Sequence, residues 1–222
     1  MTKVCNTLPA QRSLVFELVG PAGAGKTSLL KILGQRDKGI RAGLRIPVSR
    51  YLAAALLLLP TFLRIHRPYK GFQWREIKRI LYLTALHRLL QQEASKNYRA
   101  IILDEGPVYM LSRLRVLGGE AIESHSFEKW WKGAISEWAN TIDAIVWLDA
   151  EDPVLADRIR TRDQPYPVKD ISDSSVRKFL ARYRAAFNHV IAELTVGDGP
   201  KVFKFVTDRE STDQIANKIL CL

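Results

Sequence analysis

The segment Gly20-Pro21-Ala22-Gly23-Ala24-Gly25-Lys26-Thr27 limits what this chain can fold into more than any other feature. It fits the spacing G-x-x-x-x-G-K-[ST], the phosphate-binding P-loop. Before it, Leu14-Val15-Phe16-Glu17-Leu18-Val19 reads as a buried strand; after it, Ser28 to Leu33 reads as the start of a helix. A glycine-rich loop between a strand and a helix is the setting in which this spacing carries chemistry. The glycines let backbone N–H groups turn inward on phosphate oxygens, and the helix N-terminus adds the positive end of its dipole. Gly20, Pro21, Ala22, Gly23, Ala24, Gly25, Lys26, Thr27 and Ser28 therefore form the expected nucleotide-binding loop. Lys26 would reach the β- and γ-phosphates, and the Thr27 hydroxyl would ligate Mg²⁺.

The rest of the chain alternates strands with helices. A strand is possible within Ile40–Val48, and two short apolar runs end in an acid, Arg99–Asp104 and Asp143–Asp149. Lys201–Val206 reads as a last strand. Helical spacing runs over Gln73–Asn97, Tyr109–Leu117, Ser126–Ala139, Asp152–Thr161, Ser175–Leu194 and Ser211–Leu220. Gly118-Gly119 stops the second of these, and Pro153 opens the fourth. Trp130, Trp131 and Trp138 read as packing residues. The alternation predicts an α/β fold with a mostly parallel sheet and helices on both faces, one domain over residues 1–222.

The segment Tyr51–Leu63 is apolar on all sides and flanked by Arg50, Arg64, His66, Arg67 and Lys70. It falls short of the ~20 residues that span a bilayer, and Pro60 interrupts it. The expected reading is a buried helix in an inserted lobe; the competing one is a surface for a membrane or a lipid-like substrate. Lys and Arg number 34 against 23 Asp and Glu, a net charge of +11. The basic residues are spread along the chain and accompany no nucleic-acid motif, so phosphate handling is expected and a nucleic-acid partner is not. Cys5 and Cys221 make neither metal spacing nor a disulfide framework. With no apolar leader at the N-terminus, the cytoplasm is favoured.

A P-loop site needs a second carboxylate at the end of a neighbouring strand, facing Mg²⁺. Asp104 in Ile101-Ile102-Leu103-Asp104-Glu105-Gly106 is the candidate. Glu105 beside it keeps a hydrolytic reading open, in which it would position water. The strand ending Trp147-Leu148-Asp149-Ala150 lacks the Asn-Lys-x-Asp pattern of guanine specificity. After it, Arg158, Arg160 and Arg162 crowd a helix end before the polar loop Asp163–Asp170. Arg158 and Arg162, four apart, are expected to share a face and to meet transition-state charge under a lid over about 158–172.

On these landmarks, in this order, the chain resembles the nucleoside-monophosphate-kinase branch of P-loop proteins, nearest to thymidylate and deoxynucleoside kinases. The resemblance implies a five-stranded parallel sheet of order 2-3-1-4-5, a helical acceptor-binding region over about 45–97 and an arginine lid. It also implies that backbone near Thr207 and Asp208 borders the adenine base. The chain departs from the family at Asp104-Glu105-Gly106, where thymidylate kinases carry an Asp-Arg-aromatic-like triplet and deoxynucleoside kinases a Glu-Arg-Ser-like one.

The expectation is thus an ATP- and Mg²⁺-dependent phosphotransferase acting on a small acceptor: a nucleoside, nucleotide, sugar or lipid-linked alcohol. Lys26, Asp104, Glu105, Arg158 and Arg162 would carry the chemistry, Thr27 and Asp104 the metal, and Thr207 and Asp208 the nucleotide. Arg45, Arg50, Arg64 and Arg67 are candidates for holding a phosphorylated acceptor. Two other readings stay open. One is a P-loop ATPase or switch driven by Glu105; the other is a regulatory module that docks on a membrane or partner through residues 51–70. A homodimer is kept open as well.

Overall fold

A computed structural model describes residues 12–66, 74–93, 96, 98–118, 122, 124–163, 168–169 and 171–221; for 61–66 only the backbone is described. The parallel sheet forms from β1 (Leu14–Val19), β2 (Ile40–Ala42), β3 (Ala100–Leu103), β4 (Ala144–Asp149) and β5 (Lys201–Val206). Its order is β2-β3-β1-β4-β5. The helices are α1 (Lys26–Arg36), α2 (Val48–His66), α3 (Trp74–Glu93), α4 (Pro107–Leu117), α5 (His125–Ala139), α6 (Asp152–Arg160), α7 (Asp173–Leu194) and α8 (Thr212–Leu220).

The central strands are apolar on both faces because helices cover both. Val15 and Val19 of β1 point into a core shared with α3, α4, α5 and α7. Phe16 and Leu18 point the other way, against α1, α6 and α8. Trp131 and Trp138 lie in the first core, and Trp130 packs against it. Prolines fit the first turns of α4 and α6, where their missing N–H costs nothing. Ser124, Ser172 and Ser211 cap α5, α7 and α8 through their hydroxyl oxygens. Arg184 of α7 donates to both carboxylate oxygens of Asp149 at 2.9 Å and to Asp152 Oδ1 at 2.5 Å. The acid that ends β4 is therefore spent on holding α7 to the sheet.

Several sequence boundaries shift. The strand within 40–48 is only Ile40–Ala42, because Gly43 turns the chain at φ 70° and Pro47 precedes α2. Within the described residues the helix expected over Gln73–Asn97 runs Trp74–Glu93, with Gln73 and Asn97 themselves outside them, and the one expected from Tyr109 starts at Pro107. The helix from Ser175 starts two residues earlier, at the Ser172 cap. The expected burial of Tyr51–Leu63 is corrected: Ala54 and Leu58 are buried, whereas Leu57 is 52% exposed and Leu52, Leu56 and Leu59 are exposed too. An all-apolar helix carries no information about its own solvent face, so the sequence could not show which side is uncovered.

Candidate active site

Parallel pairing places the ends of β1 and β3 together. Glu17 is level with Leu103, so the loop after Val19 and the turn after Leu103 meet at the carboxyl edge of the sheet. The P-loop curls at this edge. A Cβ on Gly20 would sit 2.0 Å from the Leu148 carbonyl oxygen, and Gly20 has φ 149°, so only glycine lets β1 pass β4 here. Gly23 and Gly25 also take positive φ. Lys26 folds back and donates to the carbonyls of Gly20 at 2.7 Å and Pro21 at 3.0 Å. Burial pushes its ammonium down to about 8, while Asp104 and Glu105 pull it back up. It is therefore a half-buried cation near two carboxylates.

Two cavities share Lys26, Thr27 and Arg162. The first, about 390 Å³, adds Gly23, Gly25, Ser28, Arg158, Thr207 and Thr212. The second, about 240 Å³, adds Gly20, Pro21, Ala22, Asp104, Glu105 and an aromatic wall of Tyr109, Phe179, Tyr183 and Phe187. Ala24 lines neither; its methyl is buried in the core. A third, smaller cavity lies on the far side of Asp104 and Glu105, against Gly43, Leu44 and Tyr82.

The arginines divide. Arg158 does not stand free as a lid residue. Its guanidinium donates to the Gly23 carbonyl at 3.2 Å, to Thr207 Oγ1 at 2.9 Å and to the Thr207 carbonyl at 3.0 Å. It ties the P-loop to the end of β5. Arg162 lies beyond the end of α6 and not on it, yet it lines both main cavities. Arg160 turns outward to pair with Asp173. Residues 164–167 and 170 of the expected lid lie outside the described residues. Thr207 lines the first cavity, but Asp208 accepts from the Glu151 N–H at 3.2 Å and lines neither main cavity. Of the expected pair Thr207 and Asp208, only Thr207 thus lines the first cavity, together with Thr212. Arg45 and Arg50 line none of these three cavities; Arg50 donates to Gln92. The Arg64 side chain and Arg67 lie outside the described residues.

Sequence reasoning missed Glu17. It is fully buried in β1, and its carboxylate accepts from the N–H groups of Val108 at 2.8 Å and Tyr109 at 2.9 Å. It thus caps α4 from the sheet. Burial pushes its carboxyl up to about 8, against the pull of the helix N–H groups. Gly106 packs directly on it, so Glu17 fixes the turn that carries Asp104 and Glu105. Also missed were Arg79 and Arg113 behind the aromatic wall. Arg113 lies 5.5 Å over the Tyr109 ring, and burial, then the Arg113 charge, pushes the Arg79 guanidinium down.

Comparison with known proteins follows from this geometry. No family model matches the chain, and no curated protein matches it by sequence. Solved structures do match. Thymidylate kinase from Candida albicans superposes with a TM-score of 0.57 at 13% identity, over 94% of this chain and 90% of that one. Deoxyadenosine kinase from M. mycoides with bound dATP gives 0.54 at 18%, over 94% and 100%. The YorR protein of Bacillus subtilis, in complex with phosphorylated GDP, gives 0.51 at 16%, over 94% of each. The chain has the fold of the P-loop nucleoside and nucleotide kinases. The kinase fold accounts for the strand order and for helices on both sides of the sheet. At these identities the likeness fixes architecture, and the chemistry rests on the residues themselves.

Proposed function

We propose that the protein is an ATP- and Mg²⁺-dependent phosphotransferase whose acceptor lies against the aromatic wall. The observation that carries this reading is the pair of cavities joined at Lys26, Thr27 and Arg162. A transferred phosphoryl group needs a donor pocket and an acceptor pocket that meet at one cation-rich point, and little else. Lys26, the P-loop N–H groups and Arg158 would hold the triphosphate. Thr27 and Asp104 would hold Mg²⁺. Among the described residues no group of three or more His, Cys, Asp or Glu is placed to hold a metal ion. That suits Mg²⁺, which takes one or two protein ligands and completes its shell with phosphate and water. Held by Thr27 and Asp104, the ion would supply positive charge against the triphosphate.

The chain's own groups do the remainder. Arg162, between the pockets, meets charge that grows on the transferred group. Glu105, or Asp104 when not engaged by metal, accepts the proton of an acceptor hydroxyl. Tyr109, Phe179, Tyr183 and Phe187 offer ring faces that orient a flat or apolar acceptor and exclude water. Asp149, bound by Arg184, is unavailable for reading a guanine base.

The test is ADP production from MgATP with a panel of nucleosides, nucleotides, sugars and lipid alcohols, with mass spectrometry of the acceptor. Acceptor-dependent ADP and a phosphorylated product are expected. Equal ADP production with and without every acceptor, abolished by Glu105→Gln, would replace this reading with an ATPase.

A further inference from the structure

The exposed side of α2 is not used by the site just described. Val48 is 74% exposed, Leu52 63%, Leu56 75% and Leu59 51%. Their spacing of four, four and three residues puts them in one stripe along the helix. Ala54 and Leu58 face the core instead, where α2 packs on α3 and α5. Leu57, also exposed, lies off this stripe and lines a cavity with residues of α3 and α5, and Leu117, Ile171 and Val196 lie outside α2. Solvent-facing leucines in a row are costly in water and call for a partner.

Charge chooses the partner. Between Asp37 and Glu76 the sequence has no acidic residue, yet it has eight Lys and Arg. Arg45, just before the helix, is exposed, and Arg64 follows the stripe in the sequence. A second copy of the chain is a poor occupant. A two-fold contact through this stripe would set two acid-free basic segments against each other. A nucleic acid would answer the charge but gain nothing from leucine side chains. An anionic bilayer answers both: its headgroups neutralise the Arg and Lys flanks, and its acyl boundary takes up the leucines. Among the described residues no helix is long and apolar enough to cross a membrane, so the contact is one that lies in the interface plane.

We propose that the Val48–Leu59 stripe of α2 is a peripheral membrane-contact surface for anionic phospholipid. Its place in the fold gives it a use. The segment that leads from β2 into α2 passes Gly43 and Leu44, which line the small cavity against Asp104 and Glu105. The proposed contact surface thus begins four residues along the chain from Leu44, a wall of that cavity, which links it to the active-site turn.

The experiment is flotation of the full chain with vesicles, phosphatidylglycerol-containing or pure phosphatidylcholine, at low salt and at about 0.5 M salt. The variants are the Leu52→Ser, Leu56→Ser pair and, separately, Lys26→Ala. Both leucines are exposed, so the pair should keep the wild-type thermal unfolding and nucleotide affinity. Wild type is expected to float at least about tenfold more with the anionic vesicles, and less at high salt. The leucine pair should lose about tenfold of that binding. Lys26→Ala should float like wild type, which separates this surface from the nucleotide site. Equal flotation with both vesicle types, or unchanged flotation of the leucine pair, overturns the proposal. So does a wild type that does not float but is a dimer by light scattering and becomes a monomer on the leucine substitutions; that result would assign the stripe to a second copy.

Discussion

Replacing Gly106 by alanine should cost far more than one methyl suggests. Gly106 has φ −85° and ψ −165°, an extended conformation that alanine adopts freely. The cost comes from contact alone. The new Cβ would lie 2.6 Å from Glu17 Cδ and 2.8 Å from Glu17 Oε2, where carbon atoms prefer 3.5–4.0 Å. Glu17 cannot step aside without giving up the N–H groups of Val108 and Tyr109, since it is fully buried. Either those donors are left unpaired or the Asp104–Gly106 turn moves. Overpacking and lost hydrogen bonds together amount to about 2–5 kcal/mol. A turn displaced by about 1 Å would also lower turnover by about 10²-fold. The assay is a double-mutant cycle in denaturant unfolding: wild type, Gly106→Ala, Glu17→Ala and the double variant. Once Glu17 is alanine, Gly106→Ala should cost little more, giving a coupling of at least about 1 kcal/mol. Strictly additive costs, or a Gly106→Ala protein with wild-type stability and turnover, would refute the reasoning.

Three further outcomes follow from the same geometry. Lys26→Ala should weaken nucleotide binding in titration calorimetry and cut turnover by about 10²-fold or more, because the cation that lines both cavities is lost. Arg158→Ala should mainly weaken nucleotide affinity, since Arg158 ties Gly23 to Thr207, whereas Arg162→Ala should lower kcat about tenfold or more with affinity little changed; identical kcat and affinity profiles for the two would contradict the division. Folded Glu17 binds its proton more tightly than the unfolded chain, with its carboxyl raised from 4.5 to about 8. Its contribution to stability is therefore full below about pH 4.5 and is lost as pH rises through about 8. Across that window wild type should lose up to about 1.4 kcal/mol per pH unit that Glu17→Gln does not, and parallel melting profiles for the two proteins would exclude it.

What the sequence shows and what it hides divide on physical grounds. The P-loop is legible because its function needs residues that are contiguous, so spacing alone carries it. The sheet order is reached through the family resemblance, and the apolar runs before Asp104 and Asp149 mark β3 and β4 as strands buried on both faces. Glu17 is illegible because its partners Val108 and Tyr109 are 91 and 92 residues away, and an acid inside an apolar strand looks like a blemish in the pattern. Arg158 looks like its neighbours Arg160 and Arg162; only the fold sends it to Gly23 and Thr207 while Arg160 turns to Asp173. The aromatic wall could have been found. Phe179, Tyr183 and Phe187 are spaced by four along one helix, which sets them on one face. The open side of α2 could not, because every face of that segment is apolar.

The account centres on a triphosphate lying between Lys26 and Asp104, with its γ-phosphate turned toward the aromatic wall. The direct measurement is a crystal structure of the protein with Mg²⁺ and a non-hydrolysable ATP analogue. The account predicts that Lys26 Nζ leaves the Gly20 and Pro21 carbonyls for the β- and γ-phosphates. It also predicts Mg²⁺ between Thr27 and Asp104, and the base beside Thr207 and Thr212. A nucleotide bound outside the P-loop, or one whose γ-phosphate points away from Asp104 and Glu105, would contradict it.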